Sequence, residues 1–233
     1  MAFVDPDGKE VKPANKAALN IIVTGLTPKE AGFVRLNDKG FIDGAYLKQG
    51  MEKLGTVGGN YSSLIELVND ERIIDVIVSR TFETSRGIKD MGIATYQSEF
   101  EQIYEIMGKG VTKEQVAKAY PSYSTEKEWS GWFGVTLYPD EGADVQGTSV
   151  NGHVQVVVND VTAVDEKKAP KKMASTFAHE AYGHTLFKIR KLPHSHGSIK
   201  SLKSDSPENN KMLEIQIKNR ENEAERNYDL HQK

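Results

Sequence analysis

Two histidines bracket an acid in the stretch Ala174-Ser-Thr-Phe-Ala-His-Glu-Ala-Tyr-Gly-His184, which offers His179, Glu180 and His184 within six positions. Histidine is scarce in this chain, six residues in 233, yet four of the six fall between positions 179 and 196. Neutral imidazole is the commonest side-chain ligand for zinc-like metals. A glutamate next to a metal-activated water can serve as the general base of a hydrolase. The familiar zinc-peptidase pattern, His-Glu-x-x-His, places its two histidines at i and i+4 on one helix face. Here the second histidine stands at i+5. On a regular α-helix five residues turn roughly 500°, which leaves the two imidazoles about 140° apart and unable to share an ion. A single π-turn absorbs one extra residue, and Gly183 would ease the distortion. The spacing therefore predicts a π-bulge or a helix break around Ala181–Gly183. The competing reading makes His179 and His184 ordinary, partly buried side chains.

Two histidines are too few, because catalytic zinc usually takes three protein ligands and leaves one position for water. With no cysteine in the chain, the third must be His, Asp or Glu. The candidates are His194 and His196 in a polar loop, or a glutamate of the last helix. Leu213, Ile217, Ala224 and Tyr228 define the apolar stripe of that helix. Glu221 lies about 55° from the stripe centre, whereas Glu223 and Glu225 lie roughly 95–105° away. Glu221 is thus the acid best placed to look inward, and Ala224 would let the helix approach its neighbour closely.

Phe177-Ala-His-Glu-Ala-Tyr-Gly-His184, with its extra residue, resembles the metallopeptidase-like C-terminal domains of rearrangement-hotspot (RHS) repeat proteins from Bacteroidetes. Phe3-Val-Asp-Pro-Asp-Gly-Lys-Glu10 resembles the junction that closes an RHS core and begins its variable tail. Gly134-Val-Thr-Leu-Tyr-Pro139 and Glu223-Ala-Glu-Arg-Asn227 look like further pieces of the same tail type. Glu221 and Ala224 also match the Glu-x-x-Ala of the third-ligand helix in Glu-type zincins. The resemblance implies a zincin-type toxin or effector tail that binds zinc through His179, His184 and Glu221 and cleaves peptide bonds. In that reading the metal lowers the pKa of a water, Glu180 takes its proton, and the hydroxide attacks an amide carbonyl. Tyr228 or His231 are candidate oxyanion partners. The partners implied are a peptide or protein substrate and an immunity protein, and the setting is secreted or cell-surface as part of a larger RHS protein. The alternative is a catalytically inactive binding or structural tail.

Composition narrows the field. At 38% hydrophobic and 27% charged, the chain is globular in character. Its net charge of −3 weighs against a nucleic-acid partner, because no strong basic field is available. The N-terminus lacks the charged and apolar regions of a signal peptide. No apolar run approaches a transmembrane span.

The elements that must position the site follow from pattern and punctuation. Residues 1–17 read as a linker, or the start of a single domain covering 18–233. Ala18–Thr24 reads as a short strand. Thr27-Pro28-Lys29-Glu30 supplies a capping box for a short helix. Helices are expected over Phe41–Leu54 and Tyr61–Val68, and a strand over Arg72–Ser79. Residues 81–97 show no period and read as a loop or an irregular ribbon. Helices follow over Ser98–Met107 and Thr112–Tyr120. Trp132–Tyr138 is a strand, with Trp129 and Trp132 expected in the core, the alternative being that they line a substrate groove. Residues 140–152 form a Gly- and Asp-rich loop before a strand at His153–Val158. Val154–Val158 is expected as the edge strand along the cleft, able to pair with an extended peptide. Lys171 and Lys172 read as a solvated first turn. The metal-site helix should run over 173–191, a polar loop over Pro193–Ser206, and a last helix over 208–228. The fold class is α+β and zincin-like, a small mixed sheet packed against helices.

Overall fold

A computed structural model describes residues 10–92, 94, 132–140, 147–160, 168–192 and 207–233, with only the backbone for 207–211 and 213. The helices expected over 98–107 and 112–120, the junction residues 1–9, Trp129, His194 and His196 lie outside the described residues. The architecture is α+β. A four-stranded sheet runs in the order β1 (Glu10–Pro13), β2 (Ile73–Val78), β6 (Val154–Val158), β5 (Gly134–Leu137). β1, β2 and β6 are parallel, and β5 joins β6 antiparallel with Gly134 opposite Val158 and Leu137 opposite Gln155.

The two faces of this sheet follow from strand alternation. Ile74, Val76 and Val78 of β2 point the same way as Val154, Val156 and Val158 of β6. They form the main core with Ile21, Ile22, Leu64, Leu67, Phe177, Ala181 and Tyr182 from the helices. Ile77, Val135, Leu137 and Val157 point to the other face, where Phe82 and Met91 cover them. Phe82 comes from a two-stranded ribbon, β3 (Thr81–Thr84) and β4 (Gly87–Asp90). Of the two forms expected at 81–97, loop or irregular ribbon, residues 81–90 take the ribbon. Thr81–Thr84 alternates exposed and buried residues, and Gly87 turns the hairpin at φ 92°, where a side chain would be strained.

Three expectations change. Ala18–Thr24 is not a strand but part of helix α1 (Lys16–Thr24). Asn15 caps it by accepting from the Ala18 amide at 2.8 Å, and its own amide group donates to the Val78 carbonyl. Ala18, Ile21 and Ile22, at helical spacing, are the buried residues. A short apolar run suits either structure, and here the cap decides. Residues 10–13 form a strand, so the folded body is under way by Glu10 and a linker reading cannot extend to residue 17. Val154–Val158 is an interior strand buried at every position, while Gly134–Leu137 takes the edge. A run of valines interrupted only by the buried Gln155 suits burial on both faces.

Elsewhere the punctuation holds. Thr27 and Glu30 close a reciprocal capping box on α2 (Pro28–Ala31). Helices α3 (Gly44–Leu54) and α4 (Gly59–Val68) lie where expected. The last helix spans Pro207–Leu230. Trp132 is 41% exposed, not in the core. No described helix is long and apolar enough to cross a membrane.

Candidate metal centre

The site helix is composite: α-helical over Ala169–Phe177, π-helical over Ala178–Thr185, and α-helical again over Leu186–Ile189. The extra residue between His179 and His184 is absorbed by the π turn, without a break. In a π-helix residues i and i+5 share a face, and two ring pairs use that register. Phe177 and Tyr182 meet edge-to-face in the core, with centroids 5.1 Å apart and planes at 76°. His179 and His184 meet at the surface with centroids 5.0 Å apart, and their Nε2 atoms approach to 3.1 Å. Thr185 Oγ1 donates to the Glu180 carbonyl, five residues back, at 3.1 Å. A side chain inserted into the backbone ladder at that point favours the wider turn. Gly183 serves a different end from the one expected. Its backbone is not left-handed; a Cβ there would lie 2.5 Å from Ile217 Cγ1, so the glycine makes room for the C-terminal helix.

Glu180 faces the sheet edge and is 7% exposed. Thr136 of β5 donates its hydroxyl to Glu180 Oε2 at 2.8 Å. A Cβ on Gly134 would stand 3.0 Å from Glu180 Cγ and 2.7 Å from Thr176 Cγ2, so the glycine lets the helix lie against the strand. Gly134 and Thr136 sit on the strand face that meets the helix, a placement readable from period-two alternation once the segment is an edge strand. Each of His179, Glu180 and His184 offers one ligand atom, and these atoms all lie within 4.8 Å of one another.

Glu221 also reaches the site, but at the other nitrogen. Its Oε1 lies 2.8 Å from His179 Nδ1, and it is not one of the three converging groups. Two residues on, Glu223 turns to the start of α4. There it accepts from the Asn60 amide at 2.9 Å and from Arg220 Nη1 at 3.1 Å. Glu30 takes the neighbouring Gly58 amide. Free amides at a helix start suit carboxylates. Asn60 and Asn227 both donate to the Gly25 carbonyl, and His231 donates to Leu26. His231 is thereby committed to the backbone and leaves the oxyanion role expected for it. Ala224 is fully buried and passes close to Gly25, as its size suggested. Glu223 was missed because one apolar stripe was assumed, whereas the helix packs against α1, α4 and the site helix together.

Charge follows this geometry. Burial acts to lower the pKa of His179, but the Glu221 hydrogen bond and the nearby Glu180 and Glu221 carboxylates outweigh it, and the net shift is upward. For Glu221, burial acts upward and is outweighed by His179, Lys172 and Lys218, so its carboxyl lies below the ordinary range. Lys172 is not a solvated first-turn residue. Burial lowers its pKa against the pull of Glu221 and Glu225, and its ammonium sits 4.8 Å from the Phe133 ring centroid. Lys171 does face solvent, paired with Asp229 at 2.7 Å.

Comparison with protein-family models, curated proteins and solved structures yields no match to this chain. The site must therefore be weighed on its own chemistry. Two imidazoles bound to zinc at about 2.0–2.1 Å in a tetrahedral arrangement hold their nitrogens about 3.3–3.4 Å apart. The observed 3.1 Å is within a few tenths of an ångström of that spacing. The two nitrogens, with a carboxylate beside them, fit a zinc-like ion.

Proposed function

We propose that this chain is a zinc-dependent, zincin-like metallopeptidase domain, of the toxin or effector kind implied by its resemblance to RHS tails. The observation that carries the reading is the convergence of His179 Nε2 and His184 Nε2 across an i+5 spacing, with Glu180 beside them. His179 and His184 would supply two of the ion's protein ligands. When bound, zinc would supply a Lewis acid that brings the pKa of water down to about 7. Glu180, held by Thr136 at the sheet edge, is the base: its carboxylate takes the proton of the attacking water and returns it to the departing amine. β5, an edge strand against the site helix, is the element on which an extended peptide would add by backbone pairing.

The test is metal content and peptidase activity of the purified protein. The wild type should hold about one zinc per chain, and His184→Ala should lose it. Glu180→Gln should keep the metal and lose cleavage of an unstructured protein substrate. One observation favours the rival reading, an inactive binding or structural tail: 3.1 Å is also an ordinary N–H···N hydrogen bond between two imidazoles. Failure of the wild type to take up zinc from a supplied excess would establish that rival.

A further inference from the structure

Glu221 stands on the far side of His179 from His184. The carboxylate contacts Nδ1 at 2.8 Å, whereas Nε2 is the atom turned toward His184. A carboxylate oxygen can only accept from an imidazole, so the proton of this hydrogen bond belongs to Nδ1. A neutral ring protonated at Nδ1 has its lone pair on Nε2. We infer that Glu221 is a positioning residue rather than a metal ligand: it fixes His179 in the Nδ1–H tautomer and aims the Nε2 lone pair into the space shared with His184. This deepens the metallopeptidase reading and rests on it for its consequence, though not for the tautomer itself.

Three features support the assignment. Glu221 is not among the groups whose ligand atoms converge, which are His179, Glu180 and His184. Its second oxygen, Oε2, faces the Lys218 ammonium at 3.5 Å, a partner that steadies a carboxylate in place. The helix that carries it is fixed in register on both sides of Glu221, by Ile217 seated over Gly183 and by Glu223 on the Asn60 amide. A carboxylate behind a ligating histidine commonly orients the ring and raises its basicity, and removing such a partner weakens metal binding about 10–100-fold without abolishing it.

The experiment has two arms, with Glu221→Gln and Glu221→Ala beside the wild type and His184→Ala. In the first, histidine side-chain nitrogen NMR of the metal-free protein is recorded from neutral to alkaline pH. Above its titration the wild-type His179 should be the Nδ1–H tautomer. Glu221→Gln, whose amide oxygen can still accept, should preserve it, and Glu221→Ala should shift the ring toward Nε2–H. A tautomer unchanged in Glu221→Ala overturns the inference. In the second arm, zinc titration should show one site in wild type and in both Glu221 variants. Affinity should drop less than about tenfold for Gln and about 10–100-fold for Ala. Cobalt substituted for zinc should give the same visible spectrum in wild type and Glu221→Gln. Complete loss of zinc from folded Glu221→Gln, or a changed cobalt spectrum, would make Glu221 a ligand and overturn it too. A wild type that takes no zinc defeats the metallopeptidase reading while leaving the tautomer arm to decide this one.

Discussion

Glu221 and Glu223 stand two residues apart on one helix, and their side chains are equally shielded at 16% exposed. Their partners differ in kind. Glu223 accepts from a backbone amide at the start of α4 and from Arg220, a positively charged side chain of its own helix. Neither donor can change its protonation state in the working pH range. Glu221 instead accepts from an imidazole, whose proton count and tautomer depend on pH and on what its other nitrogen binds. The same residue type thus performs two tasks. One carboxylate closes the structure by filling a helix start, and the other meets a group that can respond.

The comparison would break first at Glu223. Replacing it by alanine strips the Asn60 amide and the Arg220 guanidinium of their acceptor in a place where water reaches poorly. Leaving such groups unpaired costs about 2–4 kcal/mol. Glu223→Ala should therefore lower the unfolding free energy by that amount, read as a lower urea midpoint with an unchanged slope, a larger loss than Glu221→Gln causes. Equal losses at the two positions would mean that the division of labour is not real.

Gly183 tests the packing between the site helix and the C-terminal helix with a smaller effect. A methyl group there would enter the space of Ile217, 2.5 Å from Cγ1. Overpacking of this kind costs about 1–3 kcal/mol. Gly183→Ala should be destabilising, and Ile217→Ala in the same chain should recover part of the loss, because the two residues share one contact. Additive losses in the double-mutant cycle would place the strain of Gly183→Ala within the π turn instead.

How much of this was legible in the sequence depends on whether the signal was local. The π turn was readable because two metal-capable histidines at i+5 make sense only if the helix widens between them; Phe177 and Tyr182, also at i+5, repeat the message. The capping box of α2 and the strand of β2 were local and came through. The α1 helix was missed because an apolar run of seven residues fits either period, and the deciding cap at Asn15 lay just outside it. The edge strand was misassigned although β6 carried the mark of an interior strand, valine at every position but Gln155, while β5 held Gly134 and Thr136 on one face. Glu221 was found from the stripe, yet which imidazole nitrogen it would meet depends on the approach of two helices distant in sequence. No periodicity encodes that.

The smallest predicted effect sharpens the comparison most, because it separates the responsive carboxylate from the fixed one by pH alone. His179, whose ordinary pKa is 6.5, is shifted upward in the fold, so its contribution is fully present below 6.5 and is lost as pH rises through the shifted value. Glu221, ordinarily 4.5, is shifted downward, so its contribution is present above 4.5 and is lost as pH falls through its lowered value. Between 4.5 and 6.5 both partners are charged and the pair is at full strength. In metal-free protein the stability difference between wild type and Glu221→Gln should peak there at about 1–2 kcal/mol, less than the roughly 1.5–3 kcal/mol of a whole hydrogen bond to a charged group because the glutamine oxygen still accepts. It should shrink on the alkaline side as His179 becomes neutral and on the acid side as Glu221 takes up a proton. Urea unfolding at half-unit intervals from pH 4 to 9 with a chelator present would trace the curve. The same series on Glu223→Gln should stay flat across the alkaline arm, since neither donor facing Glu223 titrates there. A flat profile for Glu221→Gln would put His179 and Glu221 in contact without the proton sharing that their geometry requires.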